Sequence, residues 1–270
     1  MKAQKILFIT SEIDPFVPES RNAIMGRSIP QYIQELGHEI RTFTPKWGNI
    51  NERRNQLHEV IRLSGMNLII DETDHPLIIK VASLQSAHMQ IYFIDNDDYF
   101  MKRLINADEN GNEYEDNGER AIFYARGVLE TVKKLRWVPD VIHCHGWITA
   151  LAPLYIKKAY KDEPSFCETK VVFSVSATDL KNDLGEQTLR CIPFRGAVLD
   201  DIKDICENSF THTELMKIGT KFSDGIILDS PDVDPSIPAF AKERGIPVLD
   251  YQGEDFAKAY SDFYNSIVED

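Results

Sequence analysis

The stretch QKILFIT at residues 4–10, followed by SEIDPFVPESRN at 11–22, AIMGRSIPQYIQEL at 23–36, GH at 37–38 and EIRTFT at 39–44, decides how this chain folds. Ile6 to Ile9 is an apolar run of strand length, so Gln4 to Thr10 reads as a buried strand. The segment from Ser11 to Asn22 carries two prolines and three acidic residues and reads as a loop. Ala23 to Leu36 reads as a helix, closed by Gly37 at the position after the cap, where a left-handed backbone suits glycine. Glu39 to Thr44 is the next strand. A strand, a helix and a strand in about 40 residues form a β-α-β unit, which implies a parallel sheet.

Outward from this unit the pattern changes and then returns. Between 58 and 94, the segments Val60 to Leu63, Asn67 to Ile70, Leu77 to Val81 and Gln90 to Ile94 read as short strands separated by turns, an antiparallel excursion. Asp95 to Gly118 is polar and acidic, with Asn110-Gly111 marking a turn, and reads as a long surface loop. From Asn117 the helical period resumes, with Ile122, Ala125, Val128, Leu129 and Val132 on one face. Strands at Asp140 to Cys144, Lys170 to Val175, Gly225 to Leu228 and Ile246 to Leu249 alternate with helices at Ala150 to Tyr160, Glu214 to Phe222, Ile237 to Arg244 and Phe256 to Ile267. Residues 179–209 read as irregular. The expectation is an α/β fold: a single Rossmann-like, doubly wound, mostly parallel sheet over residues 1–270, with a β-rich insertion at about 58–94 and a helical closure at about 230–270. Ligands of such sheets bind at the carboxyl ends of the strands, here the loops after Thr10, Thr44, Cys144 and Val175.

Composition narrows the function. The net charge of −13 repels phosphate backbones and anionic lipid heads, which argues against nucleic-acid and membrane-surface roles. The first apolar run is too short for a signal peptide, and no run approaches the ~20 residues that cross a bilayer. Cys144, Cys167, Cys191 and Cys206 form no C-x-x-C pair and read as reduced thiols of a cytoplasmic protein. His143, Cys144 and His145 sit on a strand, where alternate side chains oppose one another, so they do not converge on one metal ion. Gly-x-Ser-x-Gly, Walker and Gly-x-Gly-x-x-Gly strings are missing, so hydrolase, P-loop and dinucleotide readings lack support, and the reading calls for no cofactor and no metal.

Several strings occur in a telling order. Lys5-Ile6-Leu7-Phe8-Ile9-Thr10-Ser11-Glu12 is followed by Pro15-Phe16, then Leu36-Gly37-His38-Glu39-Ile40-Arg41, Pro45-Lys46-Trp47-Gly48 and Asp116-Asn117-Gly118-Glu119-Arg120. Trp137-Val138-Pro139-Asp140-Val141-Ile142-His143-Cys144-His145-Gly146-Trp147 runs on to Ala150-Leu151-Ala152-Pro153-Leu154-Tyr155. Lys217-Ile218-Gly219 and Phe222-Ser223-Asp224-Gly225 close the series. Over most of residues 4–230 the chain resembles the glycogen and starch synthases of glycosyltransferase family five. The resemblance implies the N-terminal half of a GT-B fold, two Rossmann-like domains facing a cleft, and an activity that moves glucose from ADP-glucose onto an α-1,4-glucan. It implies a first domain without its second, with α-glucan, ADP-glucose and a separate synthase or second-domain protein as candidate partners.

The resemblance also shows where the sequence departs from its family. The family places a Lys-Thr-Gly-Gly loop after the first strand; here the matching stretch is Val17-Pro18-Glu19-Ser20-Arg21-Asn22, in which Pro18 has no N–H and Glu19 has the wrong charge for a diphosphate. Arg21 and Arg27 are the candidates to replace the lysine. Where the family has Asp-Trp-His, this chain has Gly146-Trp147-Ile148, and where it has Thr-Ile-His-Asn, this chain has Ser174-Val175-Ser176-Ala177. Candidate substrate-binding residues are therefore Glu12, Arg21, Asn117, His143, His145, Trp147, Thr149 and Ser176, and no residue is assigned a catalytic role. The expectation is a degenerate site: a domain related to glucosyl transfer that is inactive or impaired alone and that binds glucan or a partner. The alternatives are a transferase completed by a separate second domain and a non-catalytic interaction module.

Overall fold

A computed structural model describes residues 3–207 and 209–269. Its sheet is built around β1 (Lys5–Thr10), which pairs in parallel with β2 (Glu39–Pro45) on one side and β7 (Val141–His145) on the other. Beyond β7 come β8 (Lys170–Val175), β9 (Gly225–Leu228) and β10 (Val248–Leu249), all parallel. Beyond β2 come β6 (Met89–Asp95), still parallel, then antiparallel β5 (Thr73–Leu84), which also carries β3 (His58–Glu59) and β4 (Met66–Ile70). The fold class and the antiparallel insertion agree with the sequence reading.

Both faces of the parallel part are covered, which is why its strands are continuously apolar. Leu7, Ile9, Ile142, Cys144 and Phe173 face the side of α2 (Asn117–Leu135), α3 (Ala152–Lys158) and α5 (His212–Lys221). Ile6, Phe8, Val141, Val172 and Ile227 face α1 (Arg21–Glu35) and α7 (Phe256–Glu269). Helix α7 thus closes the second face with Phe256, Tyr260, Tyr264 and Ile267. Two shorter helices, α4 (Gly185–Cys191) and α6 (Ser236–Glu243), complete the set, and α4 interrupts the segment read as irregular.

One expected strand is corrected. Val60 to Leu63 is a turn: Leu63 and Ser64 return hydrogen bonds to the Val60 carbonyl, leaving Ile61 exposed and Leu63 buried. The Ser64 hydroxyl accepts the Ile79 N–H at 3.0 Å, so a side chain replaces the ladder there. The paired residues are His58 and Glu59, opposite Val81 and Lys80.

The long loop between β6 and α2 hangs on one buried side chain. The Arg120 guanidinium donates to the carbonyls of Tyr99 at 3.0 Å, Ile105 at 2.8 Å and Leu104 at 2.6 Å, and to Asn117 Oδ1 at 2.8 Å. Among the described residues, no helix is long and apolar enough to cross a membrane.

Candidate functional site

The carboxyl ends of β1, β7, β8 and β9 meet at one edge, where a cavity of about 240 Å³ is lined by Ser20, Arg21, Asn22, Ser176, Asp179 and Asp229, among others. The β1–α1 loop enters it through a helix cap: Ser20 Oγ accepts the Ala23 N–H at 3.0 Å and donates to Glu12 Oε2 at 2.7 Å. Capping fixes Arg21 as the first residue of α1. Its guanidinium donates to the Asp229 carbonyl and to Tyr251 Oη at 3.3 Å, and lies 5.0 Å from the centre of the Tyr251 ring. The cation is therefore already held by the C-terminal part of the chain.

The cavity is otherwise acidic. Ser176 donates its hydroxyl to Asp179 Oδ2 at 2.7 Å. Burial raises the Glu12 and Asp179 carboxyls above the usual range, against the hydrogen bonds from Ser20 and Ser176. Asp229, the residue after β9, is pushed up to about 8, first by burial and then by the charge of Asp179, with Arg21 opposing. His145 ends β7 with Nδ1 3.0 Å from Thr10 Oγ1 and Nε2 3.7 Å from Asp229 Oδ2. Such a contact would raise the imidazole and lower the carboxyl if it were an ion pair. Burial drives both the other way, His145 down to about 4, and 3.7 Å is too long for a hydrogen bond. Burial therefore disfavours the charged form of both groups.

Of the candidate residues, Arg21 and Ser176 line the cavity, and Glu12 and His145 lie one contact behind it. The others do not reach it. His143 is fully buried, between Tyr264 Oη at 2.6 Å and Ser174 Oγ at 2.7 Å, and both ring nitrogens are used. Trp147 packs in the core on the α2 side. Thr149 donates to the Gly146 carbonyl at 2.8 Å. Asn117 bridges the Asn106 carbonyl and Arg120. The sequence reading missed Asp179, Asp229 and Tyr251; the position of Asp229 directly after a strand was the available signal.

Two departures from the family strings acquire physical reasons. Gly146 has φ +89°, and a Cβ there would lie 2.3 Å from Ser11 Oγ, so the acidic residue of the family string does not fit this backbone. Ile148 is fully buried in the core. Ile148→His would bury an imidazole among apolar neighbours; it is expected to cost about 2–4 kcal/mol in urea denaturation and to give no glucose transfer in a radiolabelled assay. Measurable transfer by that variant would overturn the view that the departures act together.

The arrangement is poor in positive charge for a diphosphate, since the guanidinium in the described lining is engaged and Asp179 and Asp229 line the cavity beside it, with Glu12 one contact behind.

Comparison with known proteins agrees with the ordered strings. The chain is 40% identical to a glycogen synthase of Chlorobium limicola over 172 residues, 63% of this chain and 35% of that protein. It is 32% identical to a glycogen synthase of Chlorobaculum parvum over 228 residues, 84% of this chain and 46% of that protein. The chain thus spans about a third to a half of the length of these relatives. Its fold matches the catalytic domain of starch synthase IV from Arabidopsis thaliana bound to ADP and acarbose, with a TM-score of 0.73, 13% identity, and coverage of 93% of this chain and 51% of that one. A family model described as the starch synthase catalytic domain matches residues 5–241, which take in every strand from β1 to β9 and the whole cavity lining; the chain belongs to that family.

Proposed function

We propose that this chain is a glycogen synthase-like domain that binds α-glucan or a partner protein and does not by itself transfer glucose from ADP-glucose. The observation that carries the reading is the cavity at the strand ends. Its one cation, Arg21, is engaged by Asp229 and Tyr251, and buried carboxyls stand where a diphosphate leaving group would need positive charge. Pro18 withholds an N–H from the same loop. The related plant domain binds ADP and acarbose, a precedent for glucan and nucleotide ligands on this fold. Residues 1–270 would act as one such domain, and the free thiols Cys144, Cys167, Cys191 and Cys206 favour a cytoplasmic setting.

Calorimetric titration of the purified chain with ADP-glucose, ADP and a maltooligosaccharide tests this. Heat from the maltooligosaccharide without heat from either nucleotide is the expected result. Micromolar nucleotide binding would overturn it and favour a transferase completed by a separate second domain. Silence with all three ligands would point to the partner-binding form.

A further inference from the structure

Away from the strand-end site, a cavity of about 780 Å³ lies between the β-rich insertion and the α4 region. Its walls include Met66, Leu68, Ile69, Pro193 and Phe194, and three arginines face it: Arg126 from α2, Arg190 from α4 and Arg195 from the loop beyond. Arg126 is the unusual one. It is 5% exposed, and its guanidinium sits 3.7 Å from the centre of the Phe194 ring. Nη1 donates to the Ile69 carbonyl at 2.7 Å, while Nε is buried with no hydrogen-bond partner among the described residues.

Acidic groups also line this cavity, so the charge balance must be followed residue by residue. Glu130 is committed: it accepts from Tyr160 Oη at 2.7 Å and Arg195 Nη2 at 3.3 Å, and lies 3.4 Å from Lys133 Nζ. Asp71 accepts from Gln187 at 2.7 Å. Glu72 lies at the edge and is exposed. Among the described residues no carboxylate lies within ion-pair distance of Arg126. A buried guanidinium with no carboxylate in ion-pair contact is costly, several kcal/mol by general estimates, and an anion entering the cavity would remove part of that cost. Burial accordingly lowers the proton affinity of Arg126, with Tyr155, Tyr160 and the charge of Glu130 opposing and the charge of Arg195 adding a smaller push. Asp71, Glu72 and Glu130 balance the three arginines of this lining; Arg195 is paired with Glu130 and Glu163 and exposed Arg190 with Glu186, so among the described residues Arg126 is the cation of the concavity with no ion-pair partner.

We propose that this cavity is a binding site for a small organic oxyanion, its charged end taken by Arg126 with Arg190 and Arg195 closing over it and its body resting against Met66, Ile69 and Phe194. The guanidinium fork suits phosphate monoesters and carboxylates alike, and the ring and aliphatic wall favours a ligand with an apolar or ring-shaped body over a bare ion. The site is separate from the strand-end cavity and stands whether or not that cavity binds glucan.

The test uses the full chain and three probes: inorganic phosphate, phenyl phosphate and benzoate, by calorimetry and by the shift in thermal midpoint. Phenyl phosphate should bind at least about tenfold more tightly than inorganic phosphate, and its affinity should fall about tenfold or more in Arg126→Met and by about threefold to tenfold in the exposed Arg190→Met. Benzoate matching phenyl phosphate would identify a carboxylate ligand within the same chemistry; benzoate failing would identify a phosphate ester. Arg126→Met removes an unpaired buried charge, so the unliganded variant should fold, and the midpoint rise caused by phenyl phosphate should vanish in it. Absence of heat and of any midpoint shift with all three probes at millimolar concentration would overturn the proposal. So would equal binding by wild type and both variants.

Discussion

Arg120→Met is expected to lower the free energy of unfolding by about 3–5 kcal/mol and to open residues 96–118 to proteolysis. The guanidinium is fully buried, makes four hydrogen bonds to three carbonyls and an amide oxygen, and lies 5.0 Å from the Trp47 ring centre and 4.8 Å from that of Tyr114. Two effects oppose each other. Burial, followed by the charge of Arg103, pulls the guanidinium down to about 9, so holding it charged at pH 7 costs several kcal/mol. Hydrogen bonds from a charged donor return roughly 1.5–3 kcal/mol each. Four of them exceed the cost of burial, and methionine would recover that cost while stranding four oxygens at roughly 1–3 kcal/mol apiece. Asp116 offsets the burial only in part, because its carboxylate is held by Arg103. Urea denaturation and limited proteolysis check the result. A variant as stable and as resistant as the parent would mean that packing alone holds the loop.

What the sequence disclosed follows from what sequence patterns encode. The β1-α1-β2 unit was legible because apolar runs and helical periods report burial directly, and Gly37, with φ +98°, ends α1 as its position implied. β5 is longer than the apolar core Leu77 to Val81 suggested, because Thr73 to Pro76 pair with β4 despite their polarity. Val60 to Leu63 failed as a strand because apolar content does not reveal that Ser64 will take over a ladder bond. Of the described cavity lining, the candidate residues included Arg21 and Ser176 and left out Asp179 and Asp229. His143, Trp147 and Thr149 are all interior here and serve packing and internal hydrogen bonds. Asp229 carried only the weak signal of following a strand, Asp179 lay in the segment read as irregular, and the reach of Tyr251 to Arg21 joins residues 230 positions apart.

Asp229→Asn tests the electrostatics of the cavity most sharply, and it is expected to stabilise the protein by about 3–4 kcal/mol near pH 7. The native carboxyl titrates at about 8 against an ordinary 3.8. A raised acid contributes stability that is fully present below the unfolded value and is lost as pH rises through the folded one. Between about pH 4 and pH 8 the unfolded chain has shed this proton and the native state retains it, which lowers stability by about 1.4 kcal/mol per pH unit. His145 runs the other way. Its folded value of about 4 lies below the ordinary 6.5, so its contribution is complete above about 6.5 and is lost as pH falls toward 4. The two slopes cancel between about 4 and 6.5, and only the decline due to Asp229 remains from there to about 8. Asparagine keeps the shape of the neutral acid and cannot ionise, so it abolishes that decline and exposes the His145 slope at lower pH. Groups that do not act on Asp229 drop out when the two proteins are compared at each pH, while Asp179, whose charge raises Asp229, shifts the midpoint of the curve. Urea denaturation from about pH 5 to about pH 9 should give a difference curve that climbs and then levels off past about pH 8. A flat curve would mean that Asp229 ionises as an ordinary carboxylate. The cavity would then hold a full negative charge beside His145 and Asp179, still less hospitable to a diphosphate, and Arg21 rather than burial would be the group that sets its charge.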